Sequence, residues 1–110
     1  MSEDKLPNMF LTIKDRHKNF FDALETLGKT LKDEGPLDEK SAQLIQLAAA
    51  ASIRSEGAVH SHARRAIKAG AKPEEIYHAI ILLTSTIGFP TVAAALSWVD
   101  DVIKKDAPGE

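Results

Sequence analysis

Glycine and proline divide this sequence at three main points, and the stretches between them repeat apolar residues at helical spacing. The divisions fall at Gly35 with Pro36, at Gly70, and at Gly88 with Pro90. Steps of three and four residues line one face of a helix. The first stretch shows this pattern with Phe20, Phe21, Leu24, Leu27 and Leu31. Few features of the sequence favour β-strands, so we predict an all-α fold, an antiparallel bundle of about five helices.

Cap signals place the ends of these helices. Asp38 is the expected N-cap of the second helix, since its carboxylate can accept from first-turn amides. Gly70 can take the left-handed conformation that ends the third helix. Pro73, Glu74 and Glu75 suit the first turn of the fourth helix. The predicted helices span about residues 12–32, 38–53, 55–70, 72–87 and 90–105. We expect irregular ends at residues 1–8 and 106–110.

Length and composition point to one domain over residues 1–110. The net charge is -2 and 44% of the residues are hydrophobic, so the chain has no basic excess for nucleic acid. The first twenty residues lack the basic and apolar segments of a signal peptide. No apolar run approaches the roughly 20 residues of a membrane span. We therefore expect a cytoplasmic protein without nucleic-acid or membrane partners.

The predicted fourth helix is apolar on nearly every side from Ile76 to Ile87. An isolated domain would leave part of that surface in water. We therefore expect the chain to associate with copies of itself.

Titratable and hydroxyl side chains cluster at the start of the third helix. The cluster consists of Arg54, Ser55, Glu56, His60 and His62. At about 100° per residue, Ser55 and His62 share a face with small and apolar residues, whereas Glu56 and His60 share another. His62 could be a buried structural histidine or a proton-transfer group. For Glu56 and His60 the simpler interpretation is a solvated pair that supports the helix.

A metal site is not expected from this cluster. His60 and His62 lie two residues apart and so diverge by about 200° on a helix, unlike the i,i+4 pair that converges on zinc. His17 and His78 have no acidic or histidine partner at the spacing of metal ligands, so we do not count them as candidate ligands. The chain contains no cysteine, which excludes disulfides and thiolate ligands. We expect neither a metal nor another cofactor.

The segment 55–96 resembles the carboxymuconolactone decarboxylase-like superfamily. The resemblance rests on an ordered combination: His62 eight residues before Gly70, the helix start at residues 72–76, a long apolar helix, and the break at residues 88–90. Residues 37–45 also resemble the preceding helix of the family, so the similarity covers about residues 36–105. It implies the alkylhydroperoxidase D-like all-α fold and assembly into dimers, trimers or hexamers.

The resemblance implies two chemistries, and this chain departs from both. In the thiol-peroxidase branch two cysteines precede the histidine by seven and four residues, and an upstream glutamate begins a proton relay. Those positions hold Ser55, Ala58 and Gln43 here, none of which can do that work, so the residues do not support a peroxiredoxin activity. The decarboxylase branch acts on 4-carboxymuconolactone without a cofactor and usually has a glutamate where this chain has Ala58. Glu56 lies on the far side of the helix and is no easy substitute.

Three functional hypotheses follow, and whether the chain is an enzyme is left open among them. The first is a cofactor-free lyase or isomerase in which His62 moves a proton on a small carboxylated substrate, anchored by Arg54 or Arg64. The second is a non-catalytic protein that binds a small molecule or assembles and has kept the fold. The third is a cysteine-free partner subunit of a redox system. The candidate catalytic residue is His62. The candidate substrate-binding residues are Gln43, Arg54, Ser55, Glu56 and His60.

Overall fold

The computed structural model describes residues 8–106, and the side chains of residues 9–105. Its helices are α1 (Asn8–Arg16), α2 (Lys18–Asp33), α3 (Glu39–Ser52), α4 (Glu56–Lys68), α5 (Pro73–Ile81), α6 (Thr84–Ile87) and α7 (Phe89–Asp106). None of the described residues lies in a strand, which confirms the predicted all-α class. The chain forms two compact units, of which the first ends at Leu37 and the second begins at Asp38.

The first unit contains α1 and α2, where the sequence predicted a single helix over 12–32. That prediction was wrong at His17, whose backbone leaves the helical region at φ −132° and ψ 61°. The rings of Phe10 and Phe21 meet edge to face with centroids 5.0 Å apart. In one continuous helix these residues would lie about 16 Å apart along the axis, at 1.5 Å per residue. The break at His17 therefore permits α1 to pack against α2 and bury Phe21.

The apolar repeat found in the sequence lies on a face of α2 that α1 does not cover. Its large apolar side chains are exposed: Phe20, Leu24, Leu27 and Leu31. Phe21 is the buried member of the same segment. The spacing thus predicted a shared helical face correctly, but that face is not the one that α1 covers.

The second unit packs α3, α4, α5 and α7 around one apolar core. The largest fully buried apolar side chains are Leu47, Val59, Ile76, Ile80, Val92 and Val99. Small residues fill the spaces between them: Ala50, Ala51, Ala63, Ala66 and Ala95 are also buried. Because an alanine adds little bulk, α3 and α4 can approach closely along this seam. The close approach brings polar side chains at the start of α3 within reach of α4.

Local chemistry sets the starts of α3 and α5. The Asp38 carboxylate accepts from the Ser41 backbone amide at 2.8 Å, as predicted for the N-cap. This bond lowers the pKa of Asp38 below its ordinary value. Pro73 begins α5, and the Lys72 amide donates to the Glu75 side chain at 2.8 Å. Both predicted starts are confirmed.

Helices α3 and α4 end with the same backbone hydrogen bonds. At the end of α4, Gly70 has φ +99°, which confirms the predicted left-handed cap. Its amide donates to Ile67 O, and the amide of Ala71 donates to Ala66 O. This pair of bonds defines the Schellman motif. The corresponding motif after α3 has an arginine in the glycine position, as described below.

The predicted fourth helix over 72–87 is divided into α5 and α6. The Leu82 amide donates to the carbonyl four residues earlier, but the Leu83 amide donates to Ile80 O, three residues earlier. The Thr84 hydroxyl donates to Ile81 O at 2.7 Å, a local side-chain bond that competes with the helical ladder. The turn tightens there, and α6 ends at Ile87, directly before Gly88 with φ +90°.

The last helix, α7, agrees with the predicted span of 90–105 to within one residue at each end. Asn8 begins α1 and Asp106 ends α7, and the rest of both expected irregular ends lies outside the described residues. Within residues 8–106, no helix is both long enough and apolar enough to cross a membrane.

Candidate functional site

Gln43 and His62 meet at the contact between α3 and α4. The Gln43 Oε1 atom lies 2.9 Å from His62 Nδ1. Gln43 is 1% exposed and is the one buried polar residue among those described, whereas His62 is half-buried. Burial of an amide is costly unless its polar atoms are hydrogen-bonded. The structure therefore brings together the candidate catalytic residue and one candidate binding residue.

Glu39 completes this arrangement from one turn earlier on α3. The Gln43 Nε2 group donates to Glu39 Oε2 at 3.0 Å. Glu39 lies in the first turn of α3, where the positive end of the helix dipole favours a carboxylate. The three residues form a chain from a carboxylate through a buried amide to an imidazole, which we call the Glu39–Gln43–His62 chain.

The Glu39–Gln43–His62 chain determines which ring nitrogen of His62 carries the proton. The Gln43 nitrogen can only donate, and it faces the Glu39 carboxylate, so the Gln43 oxygen must face His62. An amide oxygen only accepts, and therefore Nδ1 of His62 is the donor. In the neutral imidazole this assignment leaves the lone pair on Nε2. The contact with Gln43 orients the ring and fixes its tautomer.

Arg54 occupies the turn between α3 and α4 in an unusual backbone conformation. Its φ is +57°, and it is the only non-glycine residue among those described with a positive φ. Its amide donates to Ala51 O, and the Ser55 amide donates to Ala50 O, both at 3.0 Å. These bonds form a Schellman motif with arginine in the position that usually takes glycine. An arginine held there carries conformational strain.

The side chains of Arg54 and Ser55 differ in their surroundings. The Arg54 guanidinium donates to Thr91 Oγ1 near the start of α7 at 2.9 Å, and the residue is otherwise exposed. Ser55 occupies the N-cap position of α4, but its side chain makes no cap hydrogen bond. Both residues lie at the start of the helix that carries His62.

Glu56 and His60 belong to a different group from His62. His60 Nε2 lies 3.0 Å from Asp101 Oδ2 on α7 and 4.0 Å from Glu56 Oε2. The structure thus places two of the candidate binding residues with Asp101. We call these three residues the Glu56–His60–Asp101 cluster.

Sequence reasoning missed two members of these groups. Glu39 precedes Gln43 by four residues on a predicted helix, and this spacing is a signal for side-chain contact that could have identified it. Asp101 lies 41 residues after His60, and no local pattern links them.

The sequence model of the carboxymuconolactone decarboxylase family matches residues 18–101. The chain belongs to this family. The match begins at the start of α2, earlier than the resemblance at residue 36 indicated, and it contains every residue of the Glu39–Gln43–His62 chain. A comparison with curated proteins gave no match.

At the positions to which the family resemblance assigns thiols or carboxylates, this member of the carboxymuconolactone decarboxylase family carries the neutral residues Gln43, Ser55 and Ala58. Ala58 is half-buried on α4, one turn before His62, where it can supply neither a thiolate nor a carboxylate. Gln43 supplies an amide to His62. The carboxylate in the chain, Glu39, acts on His62 through that amide.

Proposed function

We propose that this member of the carboxymuconolactone decarboxylase family is a cofactor-free lyase or isomerase for a small carboxylated substrate, with His62 as the group that transfers the proton. The Glu39–Gln43–His62 chain carries this proposal. It holds an imidazole in one tautomer, next to a buried amide, on a pair of packed helices. Orientation of this kind is what a general acid or base requires.

The proposed chemistry uses Nε2 of His62 as the atom that exchanges the proton. In an isomerisation, neutral Nε2 accepts a proton from one carbon of the substrate and returns it to another. In a decarboxylation, His62 starts as the imidazolium, with the proton on Nε2 taken from solvent. The C–C bond to the carboxylate breaks, CO2 leaves, and the imidazolium donates this proton to the remaining electron pair, which returns His62 to the neutral form. A positioned acid or base contributes about 10²- to 10⁴-fold to such a step.

Arg54 is the proposed anchor for the substrate carboxylate. Its guanidinium has five N–H donors in a planar fork, and the bond to Thr91 occupies one of them. The same residue holds a strained backbone conformation at φ +57°, and strain of this kind concentrates at functional sites. Arg64, half-buried on α4, is the second candidate anchor.

The direct test is turnover by the purified full chain. We would assay decarboxylation of 4-carboxymuconolactone, and then of related lactones and β-keto acids, with the wild-type protein and with His62→Ala. The matched control is His78→Ala, which removes an exposed histidine from α5. We expect His62→Ala to lose about 10²-fold or more in kcat and His78→Ala to retain the wild-type rate.

A second variant tests the role of Gln43 as a positioning residue. Gln43→Met keeps the length of the side chain but removes both hydrogen bonds of the amide. We expect a lower kcat with little change in KM, because the His62 ring loses its orientation and not its ability to exchange a proton. An active wild-type enzyme whose rate is unchanged by His62→Ala would overturn the proposed mechanism.

A non-catalytic binding or assembly role is the second candidate, and two observations favour it. Ala58 removes the carboxylate that the decarboxylase branch usually carries. In addition, large apolar side chains of the second unit are exposed to solvent: Ile53 is 75% exposed, Leu82 63% and Phe89 65%. Exposed apolar groups of this size mark interaction surfaces when they are contiguous. Inactivity of both wild type and His62→Ala across the substrate panel would favour this role.

Self-association is part of both candidates and is tested separately. We propose a homo-oligomer, supported by the exposed apolar side chains of both units. Light scattering after size exclusion should give a mass that is a multiple of 12.0 kDa, and Phe89→Ser should reduce it. A wild-type mass of one chain at every concentration would contradict the proposal.

A further inference from the structure

The Glu56–His60–Asp101 cluster lies outside the Glu39–Gln43–His62 chain and plays no part in the proposed proton transfer. Its three side chains come from two helices, α4 and α7. One potential ligand atom from each lies within 4.8 Å of the other two. The side chains of Glu56 and Asp101 are 57% and 60% exposed, and that of His60 is 25% exposed. The cluster is therefore accessible, with its imidazole the most enclosed member.

We infer that this cluster binds a divalent transition-metal ion, with Zn²⁺ as the reference ligand. A tetrahedral ion at about 2.0 Å from each ligand atom separates those atoms by about 3.3 Å. The observed separations from His60 Nε2 are 3.0 Å to Asp101 and 4.0 Å to Glu56. Because the third separation, between Glu56 and Asp101, is within 4.8 Å, a shift of up to about 1.5 Å, mainly of the exposed Glu56 side chain, would satisfy the tetrahedral geometry.

The composition of the cluster selects the class of ion. Two ionised carboxylates and a neutral imidazole carry two negative charges, which a divalent cation balances. An imidazole ligand favours zinc, copper, nickel or iron over magnesium and calcium, which prefer oxygen alone. Three protein ligands leave at least one coordination position for water.

The cluster is distinct from the His62 site. His60 and His62 diverge by about 200° around α4, and His62 Nδ1 is engaged by Gln43. A metal ion at the cluster would link α4 to α7, the two helices that also contact through the core. Since the folded protein would bind the ion and the unfolded chain would lack the cluster, the ion should stabilise the fold.

The two histidines that are close in sequence, His60 and His62, do not converge on one ion. The converging pair is His60 with Asp101, brought together by the packing of α4 on α7. Glu56, one turn before His60 on α4, supplies the third ligand. A simple ion pair between His60 and Asp101 would show the same distance but would bind no metal, and the experiment must separate these cases.

The test is calorimetric titration of ZnCl₂ into the full chain, with Asp101→Asn and His60→Gln as the variants. We expect one Zn²⁺ per chain in the wild type and weakening of about tenfold or more in each variant, since loss of a direct ligand should cost at least as much as loss of an outer-shell group. The matched controls are His17→Ala and His62→Ala, which should bind as wild type. The fluorescence of Trp98 and circular dichroism would verify that each variant is folded.

The outcomes distinguish the alternatives without reference to turnover. Absence of Zn²⁺ binding to the wild type would overturn the inference and leave an ion pair. Binding that survives Asp101→Asn but is lost in His62→Ala or His17→Ala would also overturn it, because the ion would then occupy another site. Retained binding in His62→Ala together with loss in Asp101→Asn would support it, whatever the fate of the proposed lyase activity.

Discussion

The backbone of Arg54 offers a test in which glycine and alanine should exchange their usual order of stability. At an ordinary helix position, alanine is more stable than glycine by about 1 kcal/mol. Arg54 has φ +57°, a conformation that costs a residue with a Cβ about 1–2 kcal/mol relative to glycine. The backbone hydrogen bonds of the motif do not depend on the side chain, so both variants can keep them.

The magnitude follows from three contributions. Arg54→Ala and Arg54→Gly lose the same hydrogen bond to Thr91, worth about 0.5–1.5 kcal/mol, so that loss cancels in their comparison. Glycine gains about 1–2 kcal/mol from release of strain. It gives up about 0.4–1 kcal/mol because its unfolded chain is freer. We therefore expect Arg54→Gly to be more stable than Arg54→Ala by about 0.5–1 kcal/mol.

The assay is urea unfolding followed by the fluorescence of Trp98. This is the single tryptophan of the chain, and it lies half-buried on α7 in the second unit. The free energies of unfolding of the two variants can be compared only if they depend on urea concentration with the same slope. An Arg54→Ala protein as stable as Arg54→Gly, or more stable, would refute the strain argument.

Gly70 provides the matched control at the end of α4. It occupies the same position of the same motif at φ +99°, and a Cβ added there would meet no atom within 4 Å. Any cost of Gly70→Ala is therefore conformational and not a clash. We expect Gly70→Ala to destabilise the fold by about 1 kcal/mol, which calibrates the value for Arg54.

Two further predictions concern pH. The Tyr77 hydroxyl donates to Asp100 Oδ1 at 2.5 Å, and this bond, with burial and the nearby charge, raises the pKa of Tyr77 above its ordinary value of 10.0. The hydrogen bond should stabilise the fold fully below pH 10, and this contribution should be lost as pH rises through the raised pKa. Tyr77→Phe should therefore be less stable than the wild type by about 1 kcal/mol at neutral pH but not at strongly alkaline pH. An equal loss of stability in urea unfolding at both pH values would contradict this. The pKa of Asp38 is lowered by the Ser41 amide, so its contribution is present above the ordinary value of 3.8 and lost as pH falls through the lowered value. Asp38→Ala should therefore be destabilised at neutral pH and approach the wild type in acid, and a difference in unfolding midpoint that persists undiminished at pH 2 would count against the cap.

The sequence predicted those features of the fold that depend on neighbouring residues. Asp38, Gly70 and Pro73 mark helix ends because each acts through a backbone group a few positions away. The break at His17 escaped prediction because it depends on the contact between Phe10 and Phe21, which lie eleven residues apart. Local periodicity cannot show that a segment with one continuous helical pattern divides into two helices, α1 and α2, that pack against each other.

The same distinction applies to the candidate site. The family resemblance named both Gln43 and His62 as candidate site residues, and the structure places them in contact. Arg54 was named for its charge, but its left-handed backbone was not expected, since arginine gives no signal for that conformation. Asp101 could be found only once the packing of α4 on α7 was known.

The amide of Gln43 also limits what His62 can do with a proton. A carboxylate in that position could accept a proton from the ring and pass it onward, as a relay requires. An amide oxygen accepts a hydrogen bond but is not a base at physiological pH, and the proton on Nδ1 is held in that bond. A proton gained at Nε2 therefore cannot be relayed onward through Gln43. This restriction favours reactions in which His62 exchanges a proton directly with the substrate or with solvent, such as isomerisation or decarboxylation, over a relay through Gln43.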